Sequence, residues 1–315
     1  MTAPPADAHR RGPVLITGGS GLIGRALASA YGAAGVAVHT AQRSGGPGAG
    51  DHVLDVTDPD AVGALVDGLR PSLILHLAAN SDVTACLADP DAAERVIVGG
   101  TRNVLRAAAS APSAPAVLVA SSVRAYDPRL PGPFTEETAL ASGPGYGGAK
   151  ARADAIALAA GAGGQRVAVV RPANVYGPGD PAVQRIVPAI AAAAWTGAPL
   201  VLRTDGTPAH DLLFIDDAVA AYLALAECMD ADPAAVAGQA FNIGTGVATS
   251  VRDLVATAER IAGAPIRVRY GPPVADVAPS RTLDAARIGR LLGWRPAVTL
   301  EAGLGRVLAP LPAAV

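Results

Sequence analysis

The chain of 315 residues is half hydrophobic and 17% charged, enough apolar material for one large α/β unit or two intimate ones. Its net charge of −2, with no basic run longer than Arg10-Arg11, leaves no electrostatic footprint for nucleic acid or an anionic membrane surface. Gly, Pro or charge interrupts every apolar stretch before it reaches signal-segment or bilayer-spanning length, so a cytoplasmic protein is expected.

A Pro/Ala-rich head, expected to be disordered, leads into a β-type segment over 14–17, a helix over 21–31 and a second strand over 36–41, one βαβ unit. The first turn reads Thr17-Gly18-Gly19-Ser20-Gly21-Leu22-Ile23-Gly24. Gly18 and Gly21 permit a tight turn and close approach to a pyrophosphate, and Gly24 lets helix and strand touch. Free N–H groups at the helix N-terminus then face the phosphates, which makes Ser20, Leu22 and Ile23 part of a dinucleotide site. At the end of the second strand, where a carboxylate commonly accepts from the adenosine ribose, stands Gln42, followed by Arg43. A guanidinium there can pair with a 2′-phosphate, so NADP(H) is favoured, with NAD(H) the alternative. Asp55 and Val56 end a third strand over 52–56, where the Asp can accept from the adenine amino group and the Val can line its pocket.

The alternation continues with a helix over 58–69, a strand over 72–79, a helix over 91–110, a strand over 116–122, a helix over 146–161 and a strand over 167–172. Strands alternating with helices imply a doubly wound, Rossmann-type parallel sheet covered on both faces. From about Asn174 Pro- and Gly-rich connections between shorter helices predict a smaller interleaved lobe. The expected division is a dinucleotide-binding domain over 1–173, to which 211–247 return, and a substrate lobe from 174–210 and 248–315.

Tyr146 and Lys150 stand one turn apart on the helix over 146–161. An ammonium beside a phenol stabilises the phenolate and makes tyrosine a usable acid or base, and the lysine can also hold a nicotinamide ribose. Gly147 and Gly148 lie between them, although each interior Gly costs a helix roughly 0.5–1 kcal/mol relative to Ala. Small residues there are expected to let a ligand come close. Ser122, at the C-terminal end of the fifth strand, supplies a second donor for a carbonyl oxygen. Other features have structural readings: His76 as a satisfied strand-end histidine, Asp216 and Asp217 as the acidic start of a helix, Trp294 as a packing anchor. Cys86, Cys228 and the scattered histidines lack ligand spacing, so reduced thiols and no metal are expected.

Together the Gly-rich turn, "HLAA" (76–79), Ser122 four residues before Tyr126, Tyr146-Gly-Gly-Ala-Lys150, "RPANVYGPG" (171–179), "HDLLFIDDAV" (210–219), "FNIGTG" (241–246) and "LGWRP" (292–296) resemble the extended short-chain dehydrogenase/reductase superfamily. The closer likeness is to its nucleotide-sugar epimerase, dehydratase and ketoreductase branch. The resemblance implies catalysis by Ser122, Tyr146 and Lys150, with Leu77, Ala78, Ala79 and Pro172 along the cofactor. It places Asn80, Val123 and Asn174 at the substrate and implies a homodimer formed through the two long mid-chain helices.

Three residues depart from the pattern. Ile97 replaces the usual Asn, removing a side-chain relay. Val123-Arg124 follow Ser122 where dehydratases carry Asp-Glu, which argues against elimination of water. His210 replaces the Arg that grips a pyrophosphate, leaving Arg281 or Arg185 to compensate. The expected function is hydride transfer at a carbon of a nucleotide-activated sugar, foremost 4-ketoreduction of a nucleotide deoxyhexose. Redox-neutral 4-epimerisation and reduction of a non-nucleotide ketone or aldehyde are the alternatives.

Overall fold

The computed structural model describes residues 12–44, 48, 50–273 and 280–309; the Pro/Ala-rich head lies outside them. Strands β1 (Val14–Thr17), β2 (Val38–Gln42), β3 (Asp51–Val53), β4 (Leu73–His76), β5 (Ala116–Ala120) and β6 (Val167–Pro172) form one parallel sheet. Four short strands follow, β7 (Asn174–Tyr176), β8 (Leu200–Val201), β9 (Ala209–His210) and β10 (Leu212–Phe214), before β11 (Ala240–Ile243) rejoins that sheet beside β6. The strand order is β11-β6-β5-β4-β1-β2-β3, seven parallel strands whose order of addition switches from one side of the sheet to the other between β1 and β4. Ligands bind at such a switch point, outside the carboxyl ends of the strands.

The central strands are runs of Val, Leu, Ile and Ala because helices cover both faces: β1, β4, β5 and β6 are buried throughout. Helix α1 (Leu22–Ala33) follows β1, and α2 (Pro59–Leu69) starts where Asp58 accepts from the N–H groups of Asp60 and Ala61. A helix α3 (Val83–Ala88), absent from the sequence reading, begins on an Asp82 cap. The helix expected over 91–110 is continuous but not uniform. It runs from α4 (Pro90–Ala93) through a π-helical stretch, Glu94–Gly99, into α5 (Gly100–Ser110). Such wide turns occur often at functional sites, and this one presents Ile97 towards Ala149 and Ala153 of α6 (Gly145–Ala162).

Beyond β7 come α7 (Ile186–Thr196), α8 (Ile215–Ala231), α9 (Val251–Ala262), α10 (Ala286–Leu292) and α11 (Leu300–Leu308). Apolar side chains from β1, β5 and β6 continue without a break through Tyr222 and Leu225 of α8 to Leu254, Ile288, Trp294 and Leu304. Asp216 and Asp217 stand in the first turn of α8 as expected, and Asp217 does more than complement its dipole. Its carboxylate accepts from the N–H groups of Ala297 and Val298, and its carbonyl from the buried Trp294 indole, at 3.0–3.1 Å. Trp294 is thus the anchor of the C-terminal segment. No helix among the described residues is long and apolar enough to cross a membrane.

Candidate active site

The Gly-rich turn leaves β1 with Gly18 at φ +76, a left-handed conformation that a side chain disfavours. A Cβ on Gly18 would lie 2.8 Å from the Ala78 nitrogen, and one on Gly24 would lie 2.5 Å from the Gly18 carbonyl oxygen. The turn, α1 and the segment Leu77-Ala78-Ala79, which lies past the end of β4 rather than on the strand expected over 72–79, therefore interlock through backbone. Gly21 caps α1 in an extended conformation with no side-chain hydrogen bond, so the first N–H groups of the helix stay available to an anion. Ser20 is exposed, Leu22 is buried in the core and Ile23 is half-buried against it. These are features that a pyrophosphate fits. Arg43 is exposed just past β2, near enough to help hold the Asp55 carboxyl below its ordinary value, after the backbone and hydroxyl of Thr57. Val56, buried beyond β3, packs against Gly100.

Behind the turn, His76 is satisfied on both ring nitrogens, by Thr17 at 2.8 Å and Thr101 at 3.2 Å. Thr101 donates onward to the Ile97 carbonyl, so it accepts from Nε2–H, and Nδ1 accepts from Thr17. Burial, with the charge of Lys150 added, holds this imidazole neutral, its pKa pushed down to about 3. His76 is thus the satisfied strand-end histidine that the sequence suggests.

The catalytic candidates meet where β5 ends. Ser122 leaves the strand in extended conformation and its Oγ accepts from the Arg124 N–H at 3.2 Å. Tyr146 and Lys150 come from α6, with the Lys150 ammonium 5.9 Å from the Tyr146 ring centre and donating to the Ala120 carbonyl at 2.6 Å. Burial pushes the Tyr146 phenol up, while a hydrogen bond from Ser122 and the charges of Arg185 and Arg124 pull it down. Burial brings Lys150 down to about 8, against the support of Asp154 one turn further along α6. Pro172 ends β6, and the Asn174 amide donates to the Asp211 carbonyl at 3.2 Å. Arg185 reaches Asp180 at 3.5 Å and Ser81 at 3.1 Å, whereas Asn80 is exposed and accepts from the Asp82 N–H. Val123 does not present its side chain: it is 2% exposed and packs in the core.

The glycines between Tyr146 and Lys150 have a different reason from the one expected. A Cβ on Gly147 would stand 2.5 Å from the Arg124 carbonyl oxygen, and one on Gly148 would overlap the Gly143 carbonyl oxygen outright. The close approach is made by the protein's own backbone. Gly148→Ala is accordingly expected to cost about 2–3 kcal/mol or more, since a carbonyl cannot give as a side chain can. Chemical denaturation of the variant checks this, and an unchanged midpoint refutes it.

Sequence reasoning missed three groups. Arg171, from the interior of an apolar strand, is 2% exposed and its Nε donates at 2.8 Å to Asp154, which is 0% exposed. Ser121 donates to the same carboxylate oxygen, and the Arg171 guanidinium continues to the Tyr126 hydroxyl at 3.0 Å, which donates to Asn242 at 2.6 Å. The signal was a charge inside "VAVVRP" and an acid one turn after Lys150. The second group centres on Asp211, fully buried, whose carboxylate accepts from Thr245, Gly246 and Leu283. It fixes the segments that carry His210 and Arg281, which pair in a β-bridge. Burial and then the charges of Arg124 and Arg281 lower His210 to about 4, so it is neutral at physiological pH. Arg124 itself is the third. Among the described residues no cluster of acids, histidines or cysteines could hold a metal.

A seven-stranded parallel sheet, a Gly-rich β1–α1 turn and a strand-end serine beside a Tyr-x-x-x-Lys helix define a nicotinamide-dependent enzyme of the extended short-chain dehydrogenase/reductase type. The chain belongs to the NAD dependent epimerase/dehydratase family, whose model matches residues 14–244. A UDP-glucose 4-epimerase of Mycolicibacterium smegmatis is 31% identical over 316 residues, 93% of this chain and 96% of that protein. The solved UDP-glucose 4-epimerase of Thermotoga maritima, with UDP-glucose, matches at TM-score 0.84 and 25% identity over 94% of this chain and 97% of that one. RMD of Pseudomonas aeruginosa, complexed with NADPH, matches at TM-score 0.77 and 26% identity over 95% and 98%.

Proposed function

We propose that the protein reduces the 4-keto group of a nucleotide-activated deoxyhexose with NADPH. The observation that carries the choice is the end of β2, where Gln42 and the exposed Arg43 stand in place of a ribose-binding carboxylate. When bound, the nicotinamide supplies hydride to the carbonyl carbon. Ser122 polarises the carbonyl oxygen, and Tyr146 gives that oxygen its proton. Lys150 stands one helical turn away, its ammonium 5.9 Å from the Tyr146 ring centre, where in this reading it joins Arg185 and Arg124 in easing the proton off the buried phenol and holds the nicotinamide ribose. The turn residues of α1 bind the pyrophosphate, and the segments 174–210 and 248–315 form the lobe that closes over the substrate. The working unit in this reading is a cytoplasmic homodimer.

The whole-length likeness to UDP-glucose 4-epimerases favours a second reading, redox-neutral 4-epimerisation. The same residues then act twice, Tyr146 first as base and then as acid. Nicotinamide absorbance separates the two: stoichiometric loss of NADPH with a 4-keto nucleotide sugar supports reduction. Turnover of a nucleotide hexose by protein with retained cofactor, at constant absorbance, overturns it. Arg43→Ala is expected to raise the KM for NADPH about tenfold, the loss of one charge-assisted pairing, while that for NADH stays unchanged. Equal effects on both coenzymes remove the 2′-phosphate assignment.

A further inference from the structure

The fold brings Arg124 and Arg281 to one cavity of about 410 Å³, which they line with Asp127, Ser142, Gly143 and Gly147 beside the start of α6. The carboxylate in that cavity is already taken. Asp127 accepts from Arg129 Nε at 3.0 Å and from its terminal nitrogen at 2.6 Å. Among the described residues, neither Arg124 nor Arg281 has a hydrogen-bonding or ion-pair partner for its guanidinium. Both are only partly exposed. Burial lowers each below the ordinary arginine value; Tyr146 opposes this at Arg124 and Arg185 adds to it, while at Arg281 the charge of Arg124 adds to it and the Asp127 carboxylate opposes it.

Both backbones are rigidly held. Arg124 sits in the turn after Ser122, with its N–H on the Ser122 hydroxyl and its carbonyl against Gly147. Arg281 is bridged to His210 and sits two residues before Leu283, whose N–H binds the buried Asp211. Two guanidiniums that repel one another, half withdrawn from water and unpaired, form a resting arrangement that an anion relieves. Neutral His210, between them in the electrostatics, contributes no charge of its own.

We propose that Arg124 and Arg281 form a clamp for an anionic oxygen group of the substrate. Such a group has two sources, the diphosphate of the nucleotide or a carboxylate on the sugar ring. The inference rests on the nucleotide-sugar reading for its choice of probes.

Calorimetric titration of the NADP+-loaded protein tests it, with inorganic pyrophosphate, UDP, dTDP, GDP and UDP-glucuronate as probes. The wild type is expected to bind at least one of them, and Arg124→Gln and Arg281→Gln each to weaken that binding about tenfold or more, with Arg124→Lys recovering only part. Loss with pyrophosphate or a nucleoside diphosphate identifies the diphosphate; loss with UDP-glucuronate alone identifies the carboxylate. Binding of pyrophosphate without any nucleotide keeps the clamp and removes the nucleotide-sugar reading. Arg260→Gln, on exposed α9, serves as the control. Because the Arg124 side chain makes no hydrogen bond or ion pair among the described residues, Arg124→Gln is expected to keep wild-type thermal stability and NADP+ affinity. A wild type that binds no probe, or variants that bind as the wild type does, overturn the clamp.

Discussion

Replacing Tyr146 by Phe is expected to lower kcat for the hydride-transfer reaction by about 10²- to 10⁴-fold, the usual contribution of a positioned general acid, while cofactor affinity changes by no more than about twofold. The phenol hydrogen-bonds with Ser122 and carries a proton to deliver, and His76, buried with both nitrogens engaged, cannot replace it. The same geometry predicts a pH dependence. Burial places Lys150 at about 8, below the ordinary lysine value, so its cation is present below that pH and lost above it. Hydride transfer with Tyr146 as the proton donor is therefore expected to hold up to about pH 8 and to decline beyond, as the Lys150 charge disappears. A variant that retains more than a tenth of wild-type kcat assigns the proton transfer elsewhere. Steady-state rates across pH 6–10, with the substrate at saturation, provide the second readout.

The largest expected loss of stability comes from Asp154→Ala. Asp154 and Arg171 are a fully buried ion pair, and removing one partner of such a pair costs about 3–5 kcal/mol because a charge is left in the interior. Burial pushes the Asp154 carboxyl up, and Arg171, Ser121 and Lys150 pull it down. Without it, Arg171 keeps only the Tyr126 hydroxyl and the Glu136 carbonyl. At about 2–4 °C per kcal/mol for a domain of this order of size, melting is expected roughly 6–20 °C lower. The double variant Asp154→Ala, Arg171→Leu removes both charges and is expected to regain part of that loss. If the double variant is less stable than the single by the full cost of a second lesion, the pair is not the unit of stability. The network also joins α6, which carries Tyr146 and Lys150, to β6 and through Tyr126 and Asn242 to β11. A KM effect in Asp154→Asn without loss of fold would show that this connection positions Lys150.

Particular elements show how far the residue pattern reached. Continuous Val, Leu and Ile runs separated by helical segments identified every strand of the sheet but its last; 211–247 were expected to return to this domain, and the tertiary pairing shows that 240–243 form the strand beside β6. Helix α3 escaped notice since six residues carry too little periodicity. The catalytic candidates Ser122, Tyr146 and Lys150 were legible because their spacing is local or lies at a strand end. Arg124 was legible only as the absence of a carboxylate. Its place beside Arg281 depends on a bridge between segments about 70 residues apart, His210 with Arg281, and on Asp211 tying that bridge down.

What the amino-acid sequence determined by itself is what short-range chemistry determines: the alternating sheet and helices, the dinucleotide turn, the Tyr-Lys pair and the missing acid at the end of β2. Only the tertiary structure decided what surrounds them. It shows that Gly147 and Gly148 make room for two carbonyl groups of the chain, and that a buried Asp-Arg pair stands behind Lys150. It also brings two arginines, unpaired among the described residues, to one cavity at the catalytic helix. The physical reason is the same in each case. Desolvation, close contact and charge pairing depend on distances between residues far apart in the chain, and no periodicity along the chain encodes those distances.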